Sequence, residues 1–132
     1  EKAMLAANLD LMRLLTWQDF ELLIDLIFSA SGWRRTGQVG RTQKMVDLEL
    51  ELPTTGERAF VQVKSRTSTT QFRDYLEQFA QADHFDRMFY VWHSGSVDGD
   101  VPDDNITLVG PDRLAQMVLD AGLSRWLRDK VS

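Results

Sequence analysis

The sequence predicts an α/β fold, a mixed β-sheet flanked by helices, on three observations. Phe20, Leu23, Ile24, Ile27 and Phe28 recur at i, i+3, i+4, i+7 and i+8, the period of a helix with one buried face. Across residues 45–52, Val46, Leu48, Leu50 and Leu52 alternate with Asp47, Glu49 and Glu51, the period of a strand with one face in the core. Residues 87–92, RMFYVW, are nearly all apolar, as a strand covered on both faces requires.

Taken in chain order, Leu5, Leu9, Met12 and Leu15 have helical spacing, so residues 1–15 are expected to form a leading helix. Thr16 reads as the N-cap of the next helix, with Asp19 in its first turn and Gly32 as its stop. Residues 33–39 read as a first strand, with a turn around Gly40. The alternating strand 45–52, the turn 53–57 and a return strand 58–65 make a hairpin. A helix starts at Thr69 or Thr70 and buries Phe72, Tyr75, Leu76 and Phe79. The strand 87–92 follows, then a loop over 93–105 that takes in His93 and Ser94, then a short edge strand 106–109. Pro111 at a first helical position opens a helix that Gly122 closes. Leu123, Trp126 and Leu127 predict a docking turn at 124–132. The order is α-α-β-β-β-α-β-β-α, in one domain over residues 1–132.

Composition narrows the function classes. The chain has 132 residues, room for one domain with a real core. It has no cysteine, which excludes disulfide scaffolds, thiolate zinc sites and thiol nucleophiles, and fits a cytoplasmic setting. Two histidines, His84 and His93, are too few for zinc-protease motifs. No apolar run approaches the roughly 20 residues that span a bilayer. The Glu-Lys start reads as a piece of a longer protein. The net charge of −5 argues against a purely electrostatic nucleic-acid binder, yet residues 33–66 carry +3 and the remainder −8. Arg41, Lys44, Arg66 and Arg73 are the candidates for backbone phosphate contacts.

Gln62 and Lys64 stand out inside the apolar stretch AFVQVKSR, because polar groups there cost free energy unless they are partnered. Burial fixes the hairpin register. If Val46, Leu48 and Leu50 join Val61 and Val63, Asp47 must share its face with Gln62 and Lys64. That would gather a carboxylate, an amide carbonyl and an ammonium, the raw material of a metal-dependent phosphodiesterase site. Asp47, Gln62 and the Val63 main-chain carbonyl suit Mg²⁺ (or Mn²⁺) as hard oxygen ligands. Lys64 can hold the attacking water or neutralise charge building on the phosphate. Glu21, on the preceding helix, could hold a metal-bound water or a second cation.

With FELLIDLIFSASGW, VDLEL, FVQVKSR and ITLVGPDRLAQMVLDAGL on the page, the sequence resembles the Mrr-type branch of the PD-(D/E)xK restriction-endonuclease-like superfamily, over residues 16–123. The resemblance implies a restriction-endonuclease-like fold, with 16–123 as the nuclease core. It implies Asp47 as metal ligand, Gln62 and Lys64 as the Q-x-K pair, and Glu21 as the helix glutamate. It further implies Mg²⁺-dependent cleavage of DNA, commonly with a separate DNA-reading domain or protein partner. Double-strand cutting would call for a homodimer. A competing reading, favoured by the acidic net charge, is a catalytically inactive nuclease-like fold that serves as a protein-interaction or assembly module, with Lys64 a relic.

Overall fold

The computed structural model describes residues 2–36, 48–99, 101 and 103–132. In chain order they form α1 (Lys2–Met12), α2 (Trp17–Ala30), β1 (Arg34–Arg35), β2 (Leu48–Leu52), β3 (Glu57–Thr67), α3 (Thr69–Gln81), β4 (Arg87–Gly95), β5 (Ile106–Val109), α4 (Pro111–Asp120) and α5 (Ser124–Val131). The expected mixed sheet flanked by helices is present. Its five described strands lie side by side in chain order, β1-β2-β3-β4-β5. β1, β2 and β3 pair antiparallel, whereas β3–β4 and β4–β5 pair parallel. The β3–β4 connection runs through α3, since parallel neighbours need a crossover that a tight turn cannot provide.

Local chemistry sets the helix ends. The Thr16 side chain accepts a hydrogen bond from the Asp19 N–H at 3.1 Å, which caps α2. At the other end the Trp33 N–H donates to the Phe28 carbonyl and the Gly32 N–H to that of Ser29, a Schellman ending. Trp33 and Phe28 then both set ring edges on Phe89, at 5.6 and 4.8 Å between centroids. Ser68 caps α3 through the Gln71 N–H, and Pro111 opens α4.

The sheet separates two cores. On one face Leu48, Leu50, Val61, Val63, Val91 and Val109 pack under α1, α2, α4 and α5. On the other, Phe60, Met88, Tyr90, Trp92 and Ile106 pack under Phe72 and Phe79 of α3. Each such side chain buried from water contributes about 1.5–3 kcal/mol before the entropy of ordering is subtracted. The hairpin register is the one that burial demands: Leu48 lies opposite Val61 and Leu50 opposite Ala59.

Four boundaries differ from expectation. The leading helix stops at Met12, and residues 13–15 turn so that α2 can fold back onto the sheet. β3 extends to Thr67. β4 extends to Gly95, so His93 and Ser94 belong to a strand and not to a loop; parallel pairing to Arg66 and Thr67 satisfies the backbone there despite the polar side chains. The docking turn at 124–132 is a helix, α5, whose Leu127 is fully buried. Of the predicted first strand, Arg34 and Arg35 form β1, while the turn around Gly40 and residues 45–47 lie outside the described residues. No described helix is long and apolar enough to cross a membrane.

Candidate active site

β3 is the platform. Gln62 and Lys64 alternate with Val61 and Val63, so they share the face of Phe60 and point toward α3 while the valines enter the opposite core. Gln62 is 3% exposed. Lys64 is half-buried, and its Nζ stands over the Tyr75 ring, 4.8 Å from the centroid. Tyr90, opposite Gln62 on β4, completes this floor. Burial raises its phenol pKa, a shift opposed by the Thr67 hydrogen bond and by the Lys64 ammonium. The phenol therefore stays neutral. Thr67 Oγ1 is hydrogen-bonded to the Tyr90 hydroxyl and lies 3.2 Å from Gln71 Oε1, an arrangement in which Thr67 donates to the amide and accepts from the phenol.

α2 brings Glu21 to the same level of the sheet from the other layer. Phe20 sets its ring against His93 at 4.6 Å and Phe28 against Phe89 at 4.8 Å, so the helix runs antiparallel to β4. Eight helical residues rise about 12 Å and four strand residues about 13 Å, so the two advance in step. Glu21 is thus level with Trp92 and His93, and Trp92 is the register partner of Lys64. Glu21 is half-buried. Glu21, Gln62, Val63 and Lys64 are each engaged in at least one noncovalent interaction, so none is a loose surface group.

Residues 12–118 match the Mrr_cat family model, described as a restriction endonuclease, a range that spans the five described strands, α2, α3 and most of α4. The chain belongs to the Mrr-type restriction endonuclease family. No curated protein and no solved structure matches it.

In this Mrr-type domain the other candidates fall in different places. Asp47, Arg41 and Lys44 lie outside the described residues. Arg66 is exposed near the end of β3, opposite Ser94. Arg73 is exposed on α3 and lines a cleft of about 550 Å³ with Glu77, Asp103, Asn105 and Ile106, at the β5 edge; it is not among the groups gathered around Lys64.

Among the described residues no group of three or more His, Cys, Asp or Glu side chains is placed to hold a metal ion. The described donors at the platform are the Gln62 amide and the Val63 carbonyl. These hard oxygens fit Mg²⁺ or Mn²⁺ by donor type, and the anionic share of such a site would have to come from Asp47, since Glu21 is on the opposite layer of the sheet.

The sequence reading missed Arg13 and gave His93 to a loop. Arg13, in the α1–α2 turn, donates from Nε to the His93 carbonyl at 3.2 Å, which fixes an exposed guanidinium at the end of β4. His93 itself is 6% exposed, with Nδ1 2.8 Å from Ser94 Oγ. Burial lowers its pKa, and Arg13 adds to the effect. A contact 80 residues apart in the chain leaves no local signal for Arg13.

Proposed function

We propose that this domain is a Mg²⁺-dependent endonuclease that hydrolyses DNA phosphodiester bonds. The observation that carries the reading is the pairing of a buried Gln62 with a ring-held Lys64 on one face of β3. Asp47, the Gln62 amide and the Val63 carbonyl would hold the ion. Mg²⁺ bound there would supply Lewis acidity at the phosphate and acidify a bound water. Lys64 hydrogen-bonds a non-bridging phosphate oxygen and offsets the charge it gains as the fifth bond forms. Glu21, carried by α2 in the opposite layer of the sheet, takes no step at this phosphate, and Arg66 positions the backbone without reading sequence.

Plasmid nicking with and without Mg²⁺, in the parent and in Lys64→Ala, tests this. Expected is Mg²⁺-dependent nicking that falls about 100-fold or more in the variant. Nicking that survives the substitution removes Lys64 from the mechanism. A parent that cleaves under no divalent ion leaves the protein-interaction module as the better reading.

A further inference from the structure

Gln71 lies in the first turn of α3, and the fold engages one end of its side-chain amide but not the other. Its backbone N–H donates to Ser68 Oγ at 3.3 Å, which commits that group to the helix cap. Its Oε1 accepts from the Thr67 hydroxyl at 3.2 Å. The direction of that bond follows from Tyr90. The phenol is fully buried and gives its proton to Thr67 Oγ1, so the Thr67 proton is left for a second acceptor. Gln71 Oε1 is nearer than the Ser68 carbonyl, at 3.2 against 3.5 Å. The amide is thereby oriented. Its oxygen is tied to the buried Thr67, and its –NH2 points away, with no hydrogen-bond acceptor among the described residues.

Gln71 and Tyr75 are four residues apart, so they lie on one side of α3 with about 5–6 Å between their Cβ atoms. That side faces β3: Gln71 bonds Thr67, and Lys64 Nζ stands 4.8 Å from the centroid of the Tyr75 ring. The Tyr75 and Tyr90 rings also meet, at 5.9 Å between centroids. A neutral double donor and an ammonium therefore stand one helical turn apart over the same strand. Gln71 is exposed, so a ligand can reach it. Water can satisfy any exposed amide; what singles this one out is the buried anchor that fixes its direction.

Resting on the nuclease reading, we propose that Gln71 is a substrate contact, whose –NH2 donates to a non-bridging oxygen of the DNA phosphate next to the one that Lys64 holds, and that Thr67 is the positioning residue that aims it. A phosphate oxygen is the same beside every base, so the contact sets the register of the backbone and reads no sequence. A neutral donor suits that place. It adds no positive charge that would repel a divalent cation bound at the platform.

The test uses the 132-residue chain, with duplex DNA binding in Ca²⁺ and plasmid nicking in Mg²⁺. Gln71→Ala should lower kcat/KM about 10-fold or more, chiefly through KM. Gln71→Glu is the deciding variant, because it keeps an oxygen for Thr67 but turns the –NH2 into a charged acceptor that repels phosphate. It should bind and nick less well than Gln71→Ala. Gln81→Glu carries the same change in charge about 15 Å along α3 and should stay within about 2-fold of the parent. Thr67→Val should match Gln71→Ala, Thr67→Ser should restore the parent, and the Thr67→Val/Gln71→Ala double variant should be no worse than either single. Thermal melts confirm that each variant is folded. A folded Gln71→Glu protein that binds and nicks like the parent overturns the contact, and Lys64-dependent nicking would then leave the nuclease reading standing. A folded parent that neither binds nor nicks duplex DNA overturns both.

Discussion

Lys64 Nζ lies 4.8 Å from the centroid of the Tyr75 ring, so a residue of α3 steadies the ammonium carried by the central strand. Such a contact stabilises by about 0.5–2 kcal/mol, depending on desolvation. Tyr75→Ala should lower the nicking rate about 2- to 30-fold at saturating DNA, with KM little changed, because the loss is in aiming Lys64 and not in gripping substrate. Tyr75→Phe keeps the ring and should stay close to the parent. Equal rates in the parent and a folded Tyr75→Ala protein would show that the ring does not position Lys64.

His93 makes stability depend on pH in a definite direction. Its folded pKa is below the ordinary value of 6.5, first because it is buried and then because Arg13 repels the charged form. The unfolded chain therefore binds the proton more strongly than the folded one. The stabilisation is fully present above about pH 6.5 and is lost as pH falls from there toward the lower folded pKa. Melting curves at pH 7.5 and 5.5 should show a larger drop in the parent than in His93→Gln. Parallel pH profiles for the two proteins would remove His93 as the cause.

Gly95 should tolerate no side chain. Its φ is +86°, and a Cβ there would sit 2.0 Å from the Thr67 carbonyl oxygen, inside contact distance of backbone that cannot swing away. Gly95→Ala must part the ends of β3 and β4 and disturb Thr67, whose hydroxyl bonds Tyr90. The expected loss is about 2 kcal/mol or more in urea denaturation. Gly56→Ala is the control: φ is +78° but nothing lies within 4 Å, so only backbone strain of about 1 kcal/mol is expected.

Where the sequence was legible, periodicity and burial agreed. The stripe from Phe20 to Phe28 is the buried face of α2, and the alternation around Leu48 and Leu50 put Gln62 and Lys64 on the face away from the valines. The cap at Thr16 and the stop at Gly32 hold because their hydrogen bonds span only a few residues. What escaped depends on partners remote in the chain. The strand runs on through His93 and Ser94 because β3 supplies the ladder, a fact absent from those two polar residues. Arg13 gains its position from a carbonyl on β4, and Arg73 went to the β5 flank of α3 because Phe72 and Phe79 direct that helix onto Phe60 and Tyr90.

The order of the strands across the sheet, identical with their order along the chain, bears on how the molecule assembles. Each strand can dock on a neighbour made just before it, so most loop closures are short and the entropic barrier to the sheet is small. The exception is α1, which must travel to α4 and α5, where Asn8 donates to the Ala115 carbonyl at 3.4 Å across 107 residues. That docking is the slow closure of the set, and it completes the layer in which Glu21 is held.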